Sequence, residues 1–365
     1  MLGAQPISAA ETILLALALL AAATVAHWLF WRWRLGLPGQ EPERHVAVTA
    51  DGWRLLLGRH PPAGPAAQSG PSGNPAHGAP VLLLHGIAQN RLALDFPVAR
   101  YSLARFLAAA GLDCWALDLR GHGGSRPGPG APRRWTLDDY LSLDLPAALD
   151  AIRSATGRRQ VLLVGHSQGA LLALAAAGLY PERVAGVVAL APPVRFLPGL
   201  PLLRAIPWLV RLRLGRLASQ LLAPFAGLVH PWPAGDVIRA HEMERPIFRR
   251  LMMNGVESLP PGVVEHFTRL ALEDRLGSFD RSADWRAGLA RSRQPALFVA
   301  APDDGLVPPA VVEEACARWG GEKTLWTAPA GVGHADLILG RRAPEQLFPL
   351  VRDWLLAHPP VEGAA

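Results

Sequence analysis

The chain has 365 residues, half of them hydrophobic, and carries 36 Lys and Arg against 30 Asp and Glu, for a formal net charge of +6. That is enough for one large α/β domain with an anchor or cap, and for a core that needs neither metal nor the disulfide framework that two cysteines, Cys114 and Cys316, do not supply. Nearly all the positive charge is arginine (Lys323 is the only lysine), spread through Ala, Gly and Pro rather than clustered with aromatics, which excludes a nucleic-acid module.

In chain order, residues 10–31 come first. The run 13–31 is apolar except for Thr24 and His27, long enough to cross a bilayer as a helix. Trp28, Trp31 and Trp33 crowd its C-terminal end with Arg32 and Arg34, as at a lipid–water interface. The twelve residues before the run hold Glu11 and no Lys or Arg, so the pattern predicts an uncleaved single-pass anchor rather than a secretory signal. The arginines on the C-terminal side place the following domain in the cytoplasm.

Residues 37–43 form a Pro/Gly linker. Two short strands, 45–49 and 53–58, flank the turn signal Asp51-Gly52, and 60–80 is a Pro, Gly, Ser and Ala-rich loop. From Val81 onward, β-prone runs at 81–84, 114–119, 161–164, 184–190, 297–300 and 324–327 alternate with helical stretches, notably 101–110, 137–155 and 171–180. That alternation predicts an α/β fold, a mostly parallel sheet with helices on both faces. Residues 191–285 break the alternation and are too long for an ordinary loop. They read as an inserted helical cap between a first core part, 44–190, and a second, 286–358. Within it, 200–228 mixes large apolar residues with Arg204, Arg211, Arg213 and Arg216, a cationic amphipathic surface that either packs on the core or rests on a membrane.

The strongest chemical signal is Gly165-His166-Ser167-Gln168-Gly169, which follows four branched apolar residues and precedes an Ala/Leu-rich helix closed by Pro181. Strand, tight turn and helix are the context of a nucleophile elbow, in which glycines at 165 and 169 are needed where a Cβ would clash. A serine needs a base, and the base an orienting acid. Downstream, the 297–300 strand runs into Asp303-Asp304-Gly305-Leu306-Val307-Pro308, with two candidate acids side by side, one of them also suited to a turn or capping role. His334 follows in the glycine-rich Gly331-Val332-Gly333-His334, free to turn towards Ser167, and is the one histidine of twelve with this position and order. An oxyanion hole would use the N–H of Gln168, after the nucleophile, and that of Ile87 in His85-Gly86-Ile87-Ala88 after the Val81 strand. His85 and His122 read as loop-shaping residues, and His230, His241 and His266 as cap residues. His241-Glu242-Met243-Glu244-Arg245 lacks the second histidine of a zinc helix, so neither metal nor cofactor is implied.

These segments resemble an α/β-hydrolase, and within that superfamily the chain is similar to the acid lipases, the gastric and lysosomal lipases. The likeness is carried by residues 102–111, by Asp113-Cys114-Trp115, by 139–147, by the elbow, and by Gly333-His334-Ala335-Asp336-Leu337 with 340–344. It extends over roughly 45–356 and is weakest in the cap, while Asp118-Leu119-Arg120-Gly121-His122 is closer to bacterial hydrolases of the same fold. The resemblance implies Ser167 as nucleophile, Asp304 as acid, His334 as base and Ile87 and Gln168 as oxyanion donors. It implies hydrolysis of small-molecule or lipid carboxylic esters through an acyl-enzyme. Transfer of the acyl group to another acceptor, amide cleavage, and a non-catalytic membrane-tethered binding module are the alternatives.

Overall fold

A computed structural model describes residues 8–63, 78–195, 215–228 and 242–360. Most of the 60–80 loop lies outside the described residues, as do Arg204, Arg211, Arg213, His230 and His241 of the expected cap.

Helix α1 (Ala9–Leu35) opens with a capping box, in which the Ser8 side chain accepts the Glu11 N–H and the Glu11 carboxylate accepts the Ser8 N–H. Glu11 is therefore a helix-start residue. After α1 come β1 (Glu43–Val48) and β2 (Trp53–His60), then β3 (Pro80–Leu84), β4 (Asp113–Leu117), the short β5 (Arg126–Pro127), β6 (Val161–His166), β7 (Val184–Leu190), β8 (Ala296–Ala300) and β9 (Lys323–Thr327). They form one sheet in the order β1-β2-β4-β3-β6-β7-β8-β9, with β5 pairing β2. β1 and β2 pair antiparallel, as do β2 and β4, and every pair from β4–β3 to β8–β9 is parallel. Every residue of β3, β4, β6 and β8 is buried, which requires cover on both faces of the sheet and explains why these strands read as unbroken apolar runs.

The predicted helices form with shifted ends. α2 spans Leu103–Ala109, α3 Leu145–Thr156 and α4 Gln168–Leu179. The single helix expected over 137–155 is interrupted: Tyr140–Asp144 winds as a π turn immediately before α3. Pro146, in the first turn of α3, has no N–H to donate, which favours such a widened turn. The strand predicted to stop at Val164 continues to His166, and α4 starts at Gln168, so the turn between them is reduced to Ser167.

Between β7 and β8 lie α5 (Gly215–Leu222), a 3-10 turn (Ala223–Phe225), α6 (Arg245–Asn254), α7 (Pro261–Leu272) and α8 (Trp285–Arg291). After β8 come α9 (Pro309–Arg318), α10 (Asp336–Leu339) and α11 (Ala343–Ala357). The carboxyl ends of β3, β6, β8 and β9 carry the loops that hold the residues of interest, as in open α/β sheets generally.

Candidate active site

The elbow is built by exclusion. Ser167 has φ 55° and ψ −120°, a conformation that costs a non-glycine residue about 1–3 kcal/mol and persists only when its surroundings enforce it. A Cβ on Gly165 would overlap the Gly169 carbonyl, and one on Gly169 would overlap the Leu84 carbonyl at the end of β3. Ser167 is itself held by its N–H, which donates to the Leu190 carbonyl at 2.8 Å. The side chain is almost buried, at the N-terminus of α4, where the first N–H groups lack intrahelical acceptors.

The histidine loop meets the elbow across 168 residues of sequence: His166 Nε2–H donates to the His334 carbonyl at 3.0 Å. The two imidazoles stand 4.7 Å apart, centre to centre. His166 is held well below its ordinary pKa, first by burial and then by the adjacent His334, so it is a neutral donor at Nε2. The two adjacent aspartates take different partners. Asp304 Oδ2 accepts His334 Nδ1–H at 2.6 Å, while its Oδ1 accepts the N–H groups of Leu306 and Val307 at 2.8 Å each. With Nδ1–H committed to Asp304, the His334 lone pair lies on Nε2. Asp303 points elsewhere and accepts the Gly331 N–H at 2.6 Å, latching the base of the histidine loop. His334 was expected to sit in a loop free to turn. It is instead fixed from two sides, by Asp304 on its ring and by His166 on its backbone.

Gly86 lies against Ser167: a Cβ there would stand 3.2 Å from Ser167 Cβ and 2.8 Å from Gln89 Oε1. Its peptide is oriented by His85. The Leu119 N–H donates to His85 Nε2 at 3.2 Å, and His85 Nδ1–H donates to the Gly86 carbonyl at 2.8 Å. A trans peptide points its C=O and N–H in opposite directions, so fixing the Gly86 carbonyl also fixes the Ile87 N–H. Burial pushes His85 below its ordinary pKa, which keeps Nε2 free to accept from Leu119. His122, also pushed well below the ordinary value by burial and by His85, packs against that ring at 5.0 Å and pairs with the Tyr140 hydroxyl. The same loop is tied to the segment after α6: the Glu257 N–H donates to the Ala88 carbonyl at 2.8 Å, and Asn90 Nδ2 donates to the Asn254 carbonyl at 2.8 Å and to Glu257 Oε1 at 2.9 Å.

The structure thus gathers Ser167, His334, Asp304, Gly86 and the Gln168 end of α4. His266 lies apart, buried in α7 and bonded to Leu137 and Gly277. Sequence reasoning passed over His166 and Gln89, whereas Asp303, one of the two candidate acids, takes the turn role that was its other reading. His166 gave no local signal because its partner lies 168 residues away, whereas Gln89 accepts the N–H of nearby Gly86 within the same loop. Among the described residues, no group of three His, Cys, Asp or Glu side chains is arranged to hold a metal ion.

Residues 79–226 match a family model described as the alpha/beta hydrolase fold. The chain is 32% identical to human gastric triacylglycerol lipase over 163 residues, 42% of this chain and 40% of that one. It is 33% identical to the pimeloyl-[acyl-carrier protein] methyl ester esterase of Stenotrophomonas maltophilia (strain R551-3) over 227 residues, 61% of this chain and 78% of that one. The chain spans only 33% to 40% of the length of the Arabidopsis thaliana, mouse and human lipases it matches. Among solved structures, a thermophilic esterase from Thermogutta terrifontis shares the fold with a TM-score of 0.56 at 19% identity, over 87% of this chain and 99% of that one.

Proposed function

Because this chain belongs to the α/β-hydrolase family and is related to the acid lipases, we propose that it is a serine hydrolase of carboxylic esters that works through an acyl-enzyme. The observation that carries this reading is the His334–Asp304 pair, with the His334 carbonyl accepting the Nε2–H of His166, the residue beside a strained serine.

In the first half-reaction Ser167 Oγ attacks the ester carbonyl carbon and its proton passes to His334 Nε2. The carbonyl electron pair moves onto oxygen, where the N–H groups of Ile87 and Gln168 receive it. Collapse restores the carbonyl and breaks the bond to the leaving oxygen, which takes the proton from His334 and departs as the alcohol. Water then attacks the acyl-Ser167 carbonyl, again giving its proton to His334, and the second collapse releases the carboxylic acid and returns Ser167 to the hydroxyl form. Asp304 holds the imidazole in register and stabilises its cation in both halves. No step calls for a cofactor.

The same reading makes α1 a single-pass anchor, with the arginines at its C-terminal end putting the catalytic domain on the cytoplasmic side. α1 is apolar over a length that can span a bilayer and has no buried residue, which supports an anchor. Substrates are then small-molecule or membrane-resident esters.

The test is hydrolysis of p-nitrophenyl esters of increasing acyl length by the full chain in nanodiscs, beside Ser167→Ala. Turnover that vanishes in the variant supports the reading. Equal inertness of both proteins towards every ester, with an intact fold, would overturn it. Product appearing mainly as a new ester in added alcohol would make the enzyme an acyltransferase.

A further inference from the structure

The short helix α5 is inside out for a surface in water. Its polar Ser219 and Gln220 are 5% and 8% exposed, whereas Leu217 and Leu222 on the same helix are 44% and 50% exposed. Phe225 and Leu228, just beyond it, are 50% and 59% exposed. The inward polar groups are all satisfied: Ser219 Oγ donates to the Met252 carbonyl at 2.7 Å and Gln220 Nε2 to the Met253 carbonyl at 3.1 Å. Large apolar side chains left facing out while polar ones turn inward mark a contact with a membrane or a protein rather than with solvent.

What covers this face is indicated by its neighbour. α1 lies against α5 and α6, and the contact is polar and specific. Trp28 Nε1–H donates to Gln220 Oε1 at 2.8 Å, and His27 Nε2–H donates to the Leu221 carbonyl at 3.2 Å. The His27 ring stacks on Phe225 with centres 6.0 Å apart and planes 8° from parallel. At the end of α1, the Leu37 N–H donates to Asn254 Oδ1 at 3.0 Å, and Asn254 Nδ2 donates back to the Leu35 carbonyl at 2.9 Å. The two residues that interrupt the apolar run of α1 are thereby accounted for. Thr24 satisfies its hydroxyl on the Leu20 carbonyl of its own helix, and His27 satisfies its ring on α5.

The geometry sets the depth. At 1.5 Å per residue, His27 lies about 6 Å short of Trp31, the aromatic end of the apolar run. Phe225, stacked on His27, falls at that level, and this is the depth of roughly 5–10 Å at which interfacial amphipathic helices sit. The charged groups around this face are Arg32 over the Trp28 ring, Arg34 over the Trp33 ring, Arg216 paired with Glu257, and Arg249, whose Nε–H donates to the Ala226 carbonyl at 3.4 Å, long basic side chains of the kind that reach the lipid–water interface.

We propose that Leu217, Leu222, Phe225 and Leu228 form a second membrane contact, inserted in the leaflet into which α1 leads, so that the catalytic domain is clamped to the bilayer surface and draws its esters from that leaflet. This rests on the ester-hydrolase reading for its substrate but not for its surface. Lipid is favoured over a protein because the patch continues the lipid-facing surface of α1 and is hydrogen-bonded to it at fixed depth. The clamp also runs to the catalytic centre, since the Asn254 that holds the end of α1 presents its carbonyl to Asn90, three residues from Ile87.

The test uses the full chain in nanodiscs, with Leu222→Cys or Phe225→Cys carrying an environment-sensitive fluorophore; the native Cys114 and Cys316 are buried. Lipids spin-labelled near the top of the acyl chain should remove roughly half of the emission at both positions. A label at Leu325→Cys, exposed on the edge strand β9, should keep its emission. In parallel, Leu222→Asp/Phe225→Asp should lower hydrolysis of a bilayer-embedded ester about tenfold while leaving a soluble short-chain ester unaffected. Unquenched labels at 222 and 225 would overturn the proposal. So would labels that are shielded only when a disc holds two copies, because the face would then be an interface between chains. Quenching without hydrolysis of any ester would sustain the membrane contact and refute the ester-hydrolase reading alone.

Discussion

Replacing Asp304 by Asn tests the acid assignment with little change of shape. The Asp304 carboxylate accepts three hydrogen bonds and donates none: Leu306 N–H, Val307 N–H and His334 Nδ1–H. An amide has one oxygen. If that oxygen keeps the two backbone donors, the NH2 group faces His334 Nδ1 and forces the ring into the tautomer that carries its proton on Nε2, the atom needed as base. If it faces His334 instead, two buried backbone N–H groups meet an NH2, at a cost of about 1–3 kcal/mol each. The first arrangement is cheaper, so Asp304→Asn should fold, lose no more than about 3 kcal/mol of stability, and lose about 10⁴-fold in kcat with KM little changed. Asp303→Asn is the control. Its side chain can still accept the Gly331 N–H, so its kcat should stay within about threefold of the parent. The assay is steady-state hydrolysis of a p-nitrophenyl ester by the full chain, with thermal unfolding of each variant alongside. If Asp304→Asn retained kcat within tenfold while Asp303→Asn lost activity, the wrong acid would have been assigned, and the tautomer argument would fail with it.

Three further outcomes are expected. His85→Phe preserves the ring volume but releases the Gly86 carbonyl; kcat should fall about 10²-fold as the Ile87 N–H loses its aim, and an unchanged kcat would show that His85 does not set that peptide. Gly86→Ala brings a methyl within 2.8 Å of Gln89 Oε1 and 3.2 Å of Ser167 Cβ. Its kcat should drop about tenfold or more with Tm nearly unchanged, and equal losses in both would instead indicate collapse of the loop. His85, His122 and His166 are neutral in the fold, their pKa values lowered from 6.5 chiefly by burial. The unfolded chain binds their protons first as pH falls, so stability is complete above about 6.5 and declines below it, by up to about 4 kcal/mol per pH unit for the three together. Thermal unfolding at pH 7.5 and 5.5 measures this, and a Tm that held or rose at pH 5.5 would contradict it.

How far these features could be read from sequence depends on the distance over which each is determined. The elbow is local. Four branched residues, two glycines and an Ala/Leu-rich helix fall within one short stretch, and the clash that demands Gly165 and Gly169 is between atoms of that turn and the adjacent β3. Asp303 and Asp304 are also local, but they are adjacent residues whose side chains diverge, and only the register of β8 against the histidine loop decides which one meets His334. His166 illustrates the opposite limit. It lies inside the elbow motif, yet its contribution is a hydrogen bond to a carbonyl 168 residues away, and no local pattern encodes that.

The helix α5 was legible only in part, for a related reason. A cationic amphipathic stretch was visible in its composition, but amphipathicity states only that two faces differ, not which one is buried. The answer depended on what lay against the polar face. Here the neighbours are the carbonyls of Met252 and Met253 and the indole of Trp28, which offer donors and acceptors where a core would offer methyl groups. Ser219 and Gln220 turn inward to meet them, and the leucines are left facing outward. That inversion is costly in water and favourable in lipid. The polar residues holding α1 against α5 are therefore also those that leave the leucines facing outward beside it, so the proposed anchor and the proposed second membrane contact would arise from one packing arrangement.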